Sequence, residues 1–365
     1  MILRRLSWLL LSLLSCLCMA FGPPRLTDSD LPKKGLTPQQ LRAMRQVALP
    51  NITAASAMLI NTTTGEILYA RNERERRAPA SLIKLVTALV ALQRGRLDRE
   101  IRVTDEDLGV RSAAGMQSGD LYNLRELLFM LLIPSDNAAA MTIARGLAGD
   151  VHAYVGWMNA LVASWGLADT HFVNPHGLDA KDGYSTAYDM TIIAINALRN
   201  PTLTDIANRY EAIIAWRRLQ STNELLNTYS GTIGLKTGTT DRAGECLIAA
   251  VERPTGAALL VLMGSSDRFT DARLMLDYFY ANYAELHIDL PQTPQNRYLD
   301  EAHNWREFKL RQPIIMLISP SQVGQVSLYR RIDNISADPN PEQPIGTLEV
   351  RLADRPLTEV PLYGR

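Results

Sequence analysis

The sequence predicts an α+β protein in which strands flank a block of helices, followed by a small all-β module. Three observations carry this. Paired apolar runs precede the helical stretch, a second set of strand-like runs follows it, and past Leu290 short strands alternate with Pro, Gly, Asp and Asn. At 365 residues the chain is one large domain plus a small one, or two medium domains, because single cores stop growing near ~250–300 residues.

Along the chain, Met1-Ile2-Leu3-Arg4-Arg5 and the apolar run Leu6 to Ala20 have the pattern of a secretory signal over 1–20. A membrane anchor is the competing reading, although the run is shorter than the ~20 residues of a span. Cleavage after Ala20 would leave Cys246 as the one cysteine, so folding would not depend on a disulfide. A linker and lead-in over 21–50 is polar and rich in Pro, Asp and Lys from Pro23 to Gly35. The main domain, 51–288, starts with a hairpin: Ala55 to Ile60, a turn through Asn61 to Gly65, then Glu66 to Ala70. A helix opening near Ser81 is apolar nearly all round through Leu92, so it belongs in the middle of the domain. Further helical periods cover Leu124 to Ile133, Ala138 to Leu147, Val151 to Trp165 and Ala187 to Leu198. Strands follow at Gly231 to Gly238, Cys246 to Glu252 and Ala257 to Met263, and an amphipathic helix from Asp271 to Leu286 closes the unit. Pro291-Gln292-Thr293-Pro294 then breaks the chain. The C-terminal β domain, 289–365, has strand-like runs at Ile314 to Ile318, Gln325 to Tyr329 and Leu348 to Leu352, with no internal repeat.

Composition excludes several functions. The 38 basic and 38 acidic groups balance, with no long basic block, which removes the electrostatic footprint of nucleic-acid binding. At 47% hydrophobic the chain is too apolar for disorder. The five histidines show no H-E-x-x-H or similar spacing, so no metal site is expected.

Three short motifs carry the chemistry. Ser81-Leu82-Ile83-Lys84 sets a hydroxyl and an amine three residues apart, and a lysine on a greasy helix is costly unless it has work to do. Only six of the 38 basic residues are lysines, and this is the single S-x-x-K. Ser135-Asp136-Asn137 falls at a helix-to-helix junction, where Ser could equally be an ordinary N-cap. Ser221-Thr222-Asn223 shows that S-x-N alone is cheap. Lys236-Thr237-Gly238-Thr239-Thr240 ends a strand, where Gly lets another backbone approach closely.

The ordered set S-x-x-K, S-D-N, K-T-G is that of penicillin-binding proteins and class A β-lactamases. The chain resembles the serine D-alanyl-D-alanine carboxypeptidases of peptidase family S11, the low-molecular-mass penicillin-binding proteins. The likeness extends to Ala78-Pro79-Ala80, Gly115 to Gly119, Phe172 to Leu178, Ser185 to Asp189, and Asn223 with Leu225-Leu226. It is close from Ala55 to Leu286 and looser in the β domain. It implies a penicillin-binding-protein/β-lactamase-like catalytic domain, an antiparallel sheet with a helical cluster. Ser81 would attack the carbonyl between two D-alanines, and Lys84, neutral through burial beside Lys236, would take its proton. Ser135 would relay a proton to the leaving amine while Asn137 orients Lys84 and the substrate amide. Lys236, Thr237, Gly238 and Thr239 would line the strand that receives the substrate, its terminal carboxylate against Lys236 and Thr237. The N–H groups of Ser81 and Thr239 would form the oxyanion hole. Arg268 matches an arginine that helps hold that carboxylate in the family; a plain surface arginine is the alternative.

The resemblance thus implies removal of the terminal D-alanine from peptidoglycan stem pentapeptides, no cofactor, and β-lactams as covalent inhibitors. A DD-endopeptidase cutting cross-links is the near alternative, although such endopeptidases usually lack the second domain. A class A β-lactamase needs a glutamate between the second and third motifs, and none occurs from Ala138 to Tyr210. An inactive peptidoglycan-binding homologue would not need Ser81, Lys84, Asn137 and Lys236 intact. The enzyme is expected to be exported, periplasmic or elsewhere in the cell envelope. Leu13-Leu14-Ser15-Cys16 is similar to a lipoprotein signal with Cys16 as the lipidated residue. Many relatives end in an amphipathic membrane-surface helix; Val360 to Arg365 supplies no apolar helical face, so no C-terminal membrane helix is expected.

Overall fold

Strands β1 (Ser56–Asn61) and β2 (Ile67–Arg71) form the expected hairpin in a computed structural model that describes residues 48–353 and 355–365. The signal segment, Cys16 and all but the last residues of the lead-in lie outside the described residues. Asn61 closes the hairpin turn, its Oδ1 accepting from Thr64 N at 2.7 Å, and Gly65 takes φ +75°.

The helical block is built around α1 (Lys84–Arg94), whose residues from Lys84 to Ala91 are all buried. It packs against α2 (Leu124–Leu132), α3 (Asn137–Ala148), α4 (Val151–Ser164) and α5 (Ala187–Leu198). That central position is why its sequence is apolar on every face. The four surrounding helices each begin on a side-chain cap: Asn123 in a capping box with Glu126, then Asp136, Asp150 and Thr186. Helix α6 (Pro201–Ala207) starts from an Asn200 cap with Pro201 in its first turn. Two ribbons too short to show a period lie between these helices and strands. One pairs β3 (Glu100–Arg102) with β4 (Leu121–Asn123), and the other β5 (Glu211–Ile214) with β6 (Arg217–Gln220).

Strands β7 (Thr232–Thr240), β8 (Gly244–Arg253) and β9 (Gly256–Ser265) complete an antiparallel sheet in the order β2-β1-β9-β8-β7. Successive strand residues face opposite sides, yet Ala258 to Met263 are buried without a break. Both faces are therefore covered. Helix α5 packs on β1 and β9, and α7 (Arg268–Asn282) packs on β8 and β9.

The last helix differs from the expectation of Asp271 to Leu286. It stops at Asn282, and the described chain divides there into two compact units, the second beginning at Tyr283. Ala284, Leu286 and Ile288 are buried while Glu285 and His287 are less so, which is the alternation of a strand. This β10 (Ala284–Ile288) pairs with β13 (Ile314–Ile318). The second unit also holds β11 (Arg297–Leu299), β12 (Trp305–Lys309), β14 (Val326–Ile332), β15 (Pro344–Leu352) and β16 (Arg355–Gly364). These form an antiparallel sheet in the order β11-β12-β16-β15-β14. Phe308, Leu328, Leu348, Val350 and Leu362 form its core together with Leu286 and Ile288. Among the described residues no helix is long and apolar enough to cross a membrane.

Candidate active site

Ser81 does not lie on the long helix but on a 3-10 turn, Ala80–Ile83, that leads into it. With three residues per turn, positions i and i+3 eclipse, so Ser81 and Lys84 stand directly over one another. Lys84 Nζ lies 2.7 Å from Ser81 Oγ, and it also donates to Asn137 Oδ1 and the His176 carbonyl, each at 2.6 Å. Lys84 is fully buried. Burial pushes its amine down to about 7, although the nearby Asp136 carboxylate works in the other direction. A neutral amine has two N–H groups and one lone pair. The two carbonyl oxygens use both donors, and the lone pair is left for the Ser81 hydroxyl.

The second motif joins α2 to α3. Asp136, not Ser135, caps α3: its Oδ1 accepts from Ala139 N at 2.7 Å. Its Oδ2 accepts from Ser112 Oγ at 2.8 Å and Ala114 N at 2.6 Å, so one buried carboxylate ties the 112–116 loop to the head of the helix. Ser135 precedes the cap at φ +62°, and Asn137 is the first residue of the helix.

The third motif lies on β7, an edge strand. Lys236 Nζ donates to Ser135 Oγ and to the Thr237 carbonyl, each at 2.8 Å. This lysine too is held well below its ordinary range, first by burial and then by Lys84 and Arg268. Gly238 passes so close to the 3-10 turn that a Cβ there would lie 2.8 Å from Ser81 N. Arg268, at the head of α7, donates from Nη1 to the Gly238 carbonyl at 2.8 Å and to Thr239 Oγ1 at 2.7 Å. Its side chain is only 14% exposed, which sets aside the surface-arginine alternative.

The nine residues singled out from the sequence thus form one contiguous cluster. Three contributions escaped it. The Thr222 hydroxyl, in the S-x-N triplet dismissed as fortuitous, bonds the Thr237 hydroxyl. His176 sits in a turn held by Asn174 Oδ1, and its carbonyl is an anchor of Lys84. Asp136 caps α3, which sets aside the alternative of Ser135 as an ordinary N-cap. Among the described residues, no group of His, Cys, Asp or Glu could hold a metal ion.

A lysine-activated serine between a helical cluster and the edge of an antiparallel sheet defines a serine acyl-transfer hydrolase. The chain belongs to the peptidase S11 family, described as D-alanyl-D-alanine carboxypeptidase, whose profile matches residues 43–267. It is 31% identical to D-alanyl-D-alanine carboxypeptidase DacF of Bacillus subtilis, over 86% of this chain and 85% of that protein. It is also 31% identical to a D-alanyl-D-alanine endopeptidase of Pseudomonas aeruginosa, over 72% of this chain and 86% of that one. The crystal structure of penicillin binding protein 6B from Escherichia coli superposes with a TM-score of 0.70 at 27% identity, covering 88% of this chain and 98% of the other.

Proposed function

We propose that the chain is a serine D-alanyl-D-alanine carboxypeptidase that removes the terminal D-alanine from peptidoglycan stem pentapeptides, with Ser81 as nucleophile. The observation that carries the reading is the Lys84 amine, held near neutrality 2.7 Å from the Ser81 hydroxyl. As Ser81 Oγ bonds to the carbonyl carbon between the two D-alanines, its proton passes to Lys84. The oxyanion develops against the N–H groups of Ser81 and Thr239, a contribution worth ~3–4 kcal/mol per donor in comparable sites. When the C–N bond breaks, Ser135, bonded to Lys236, relays a proton to the departing amine of D-alanine. Water then cleaves the Ser81 ester and restores the enzyme. Lys236, Thr237 and Arg268 supply the positive and hydroxyl groups suited to the terminal carboxylate. The outer edge of β7 accepts the substrate as an added extended strand.

The test is direct. Purified protein incubated with a stem pentapeptide releases free D-alanine, and fluorescent penicillin labels it covalently, whereas Ser81→Ala does neither. Labelling of the Ser81→Ala variant at the wild-type level overturns the assignment. The likeness to the Pseudomonas endopeptidase makes cleavage of cross-linked stem dimers a second reading. The longer match to the Bacillus carboxypeptidase, which extends into the β unit, favours the first. The Leu6 to Ala20 run supports export, with the enzyme either free in the envelope or lipid-anchored at Cys16. Membrane retention that disappears in Cys16→Ser distinguishes the two.

A further inference from the structure

Trp216 is 99% exposed, and with Ile213, 75% exposed, it forms an apolar tip on the β5–β6 ribbon. The turn is strained: Ala215 and Trp216 take φ +46° and +62°, the left-handed pair that two-residue hairpins normally fill with Asn and Gly. A bulky indole is therefore kept in water at a position the backbone would give to glycine. The ribbon beneath it is firmly held. Ala212 and Ile214 pack on the core, and Arg217 donates to Tyr122 Oη at 3.1 Å, Asp120 Oδ2 at 3.0 Å and the Gly115 carbonyl at 2.6 Å. That anchorage faces the 112–116 loop bound by Asp136, and β6 runs on into Thr222 beside Thr237. The tip is thus fixed to one wall of the catalytic cluster.

We propose that Trp216 is a stacking platform for a sugar ring of the glycan strand that carries the stem peptides, an assignment that rests on the function proposed above. Five residues lie between Trp216 and Thr222, so the two are at most about 20 Å apart along an extended chain. Four stem residues span about 14 Å between the scissile bond and the first sugar, and the remaining distance of about 6 Å or less is left to the sugars of the strand. The charges around the tip are paired, Arg218 with Glu211 and Arg217 with Asp120, which suits a neutral ring face rather than an anionic lipid surface. Two side chains expose on the order of 300 Å², well below the ~800 Å² per partner of a stable protein interface, but enough to cover one sugar.

The strain makes a clean variant available. Trp216→Gly relieves the left-handed turn, so the ribbon stays folded while the platform is removed. Peptide-free glycan strands titrated into the protein should bind Trp216→Gly at least fivefold more weakly than wild type, and Trp216→Phe within twofold. All three should hydrolyse free pentapeptide within twofold of one another. Equal glycan affinity in wild type and Trp216→Gly, or no binding by wild type, overturns the proposal. So does retention on phosphatidylethanolamine–phosphatidylglycerol vesicles that Trp216→Gly abolishes while glycan affinity is unchanged, which would make the tip a lipid contact. Failure of the wild type on free pentapeptide overturns the catalytic reading instead, because the glycan titration needs no turnover.

Discussion

Gly177→Ala is expected to slow acylation by about 10²-fold without contacting substrate. Gly177 has φ +91°, and a Cβ there would lie 2.0 Å from the Ala80 carbonyl oxygen and 2.9 Å from Ser81 N. Ordinary contact begins near 3.4 Å, so the His176–Gly177 turn and the Ala80–Ser81 peptide must part by roughly 1 Å or more. Both sides of that gap matter for catalysis: the His176 carbonyl anchors Lys84, and the Ser81 N–H is the proposed oxyanion donor. Left-handed alanine costs ~1–2 kcal/mol and overpacking a further ~1–3 kcal/mol, a loss of about 2–5 kcal/mol in stability. A 1 Å displacement of catalytic groups is enough for a rate loss of about 10²-fold. Gly149→Ala is the control, because Gly149 has φ +79° with nothing within 4 Å of its Cβ position. It bears the backbone cost alone and should acylate normally. Stopped-flow acylation by fluorescent penicillin and calorimetric melting measure the two effects. If Gly177→Ala acylates within threefold of wild type, the positioning argument is wrong.

With neutral Lys84 as the proposed base, acylation should rise with pH through about 7, and Asp136→Asn, which removes a charge favouring protonation, should move that limb to lower pH. A flat profile from pH 5 to 9 would exclude Lys84 as the titrating group. Lys84→Arg should reduce acylation more than 10³-fold, since guanidinium does not deprotonate, while Lys236→Arg keeps a measurable fraction; near-normal acylation by Lys84→Arg would require another base. Arg268→Ala should lower kcat/KM about ten- to hundredfold, on the order of 1.5–3 kcal/mol for a charged hydrogen bond. The same change should matter far less for a pentapeptide amidated at its C-terminus; equal losses on both would place Arg268 in a purely structural role.

The helical block was legible because α1 is apolar on every face and the four helices around it have both an apolar period and a capping residue at the start. The end of α7 was not, because Phe279, Tyr283 and Leu286 satisfy a helical period as well as Ala284, Leu286 and Ile288 satisfy alternation. The strands β3 to β6 are three or four residues long, too short for either period to register. In the site, side chains with distinctive chemistry were visible as motifs. What sequence could not reveal was the carbonyl of His176, since every residue carries one, and the proximity of Thr222 to Thr237, which depends on how β6 meets β7. The start of α3 stayed open in the sequence for a subtler reason. Ser and Asp are both good caps, and the choice between them turned on the left-handed Ser135, which shifts the start of α3 by one residue.

The open edge of β7 also bears on solubility. An unpaired strand edge is a template for aggregation, and β7 cannot be blunted by proline or covered by another strand without blocking entry of an extended substrate. The 3-10 turn bearing Ser81 packs on β7 and β8, so close to Gly238 that a Cβ there would lie 2.8 Å from Ser81 N. That packing covers a face of the strand and leaves its outer edge open. The exposure proposed to admit an extended substrate is therefore the same exposure that would let two copies pair edge to edge at high concentration, and a penicillin bound in the site should slow such association.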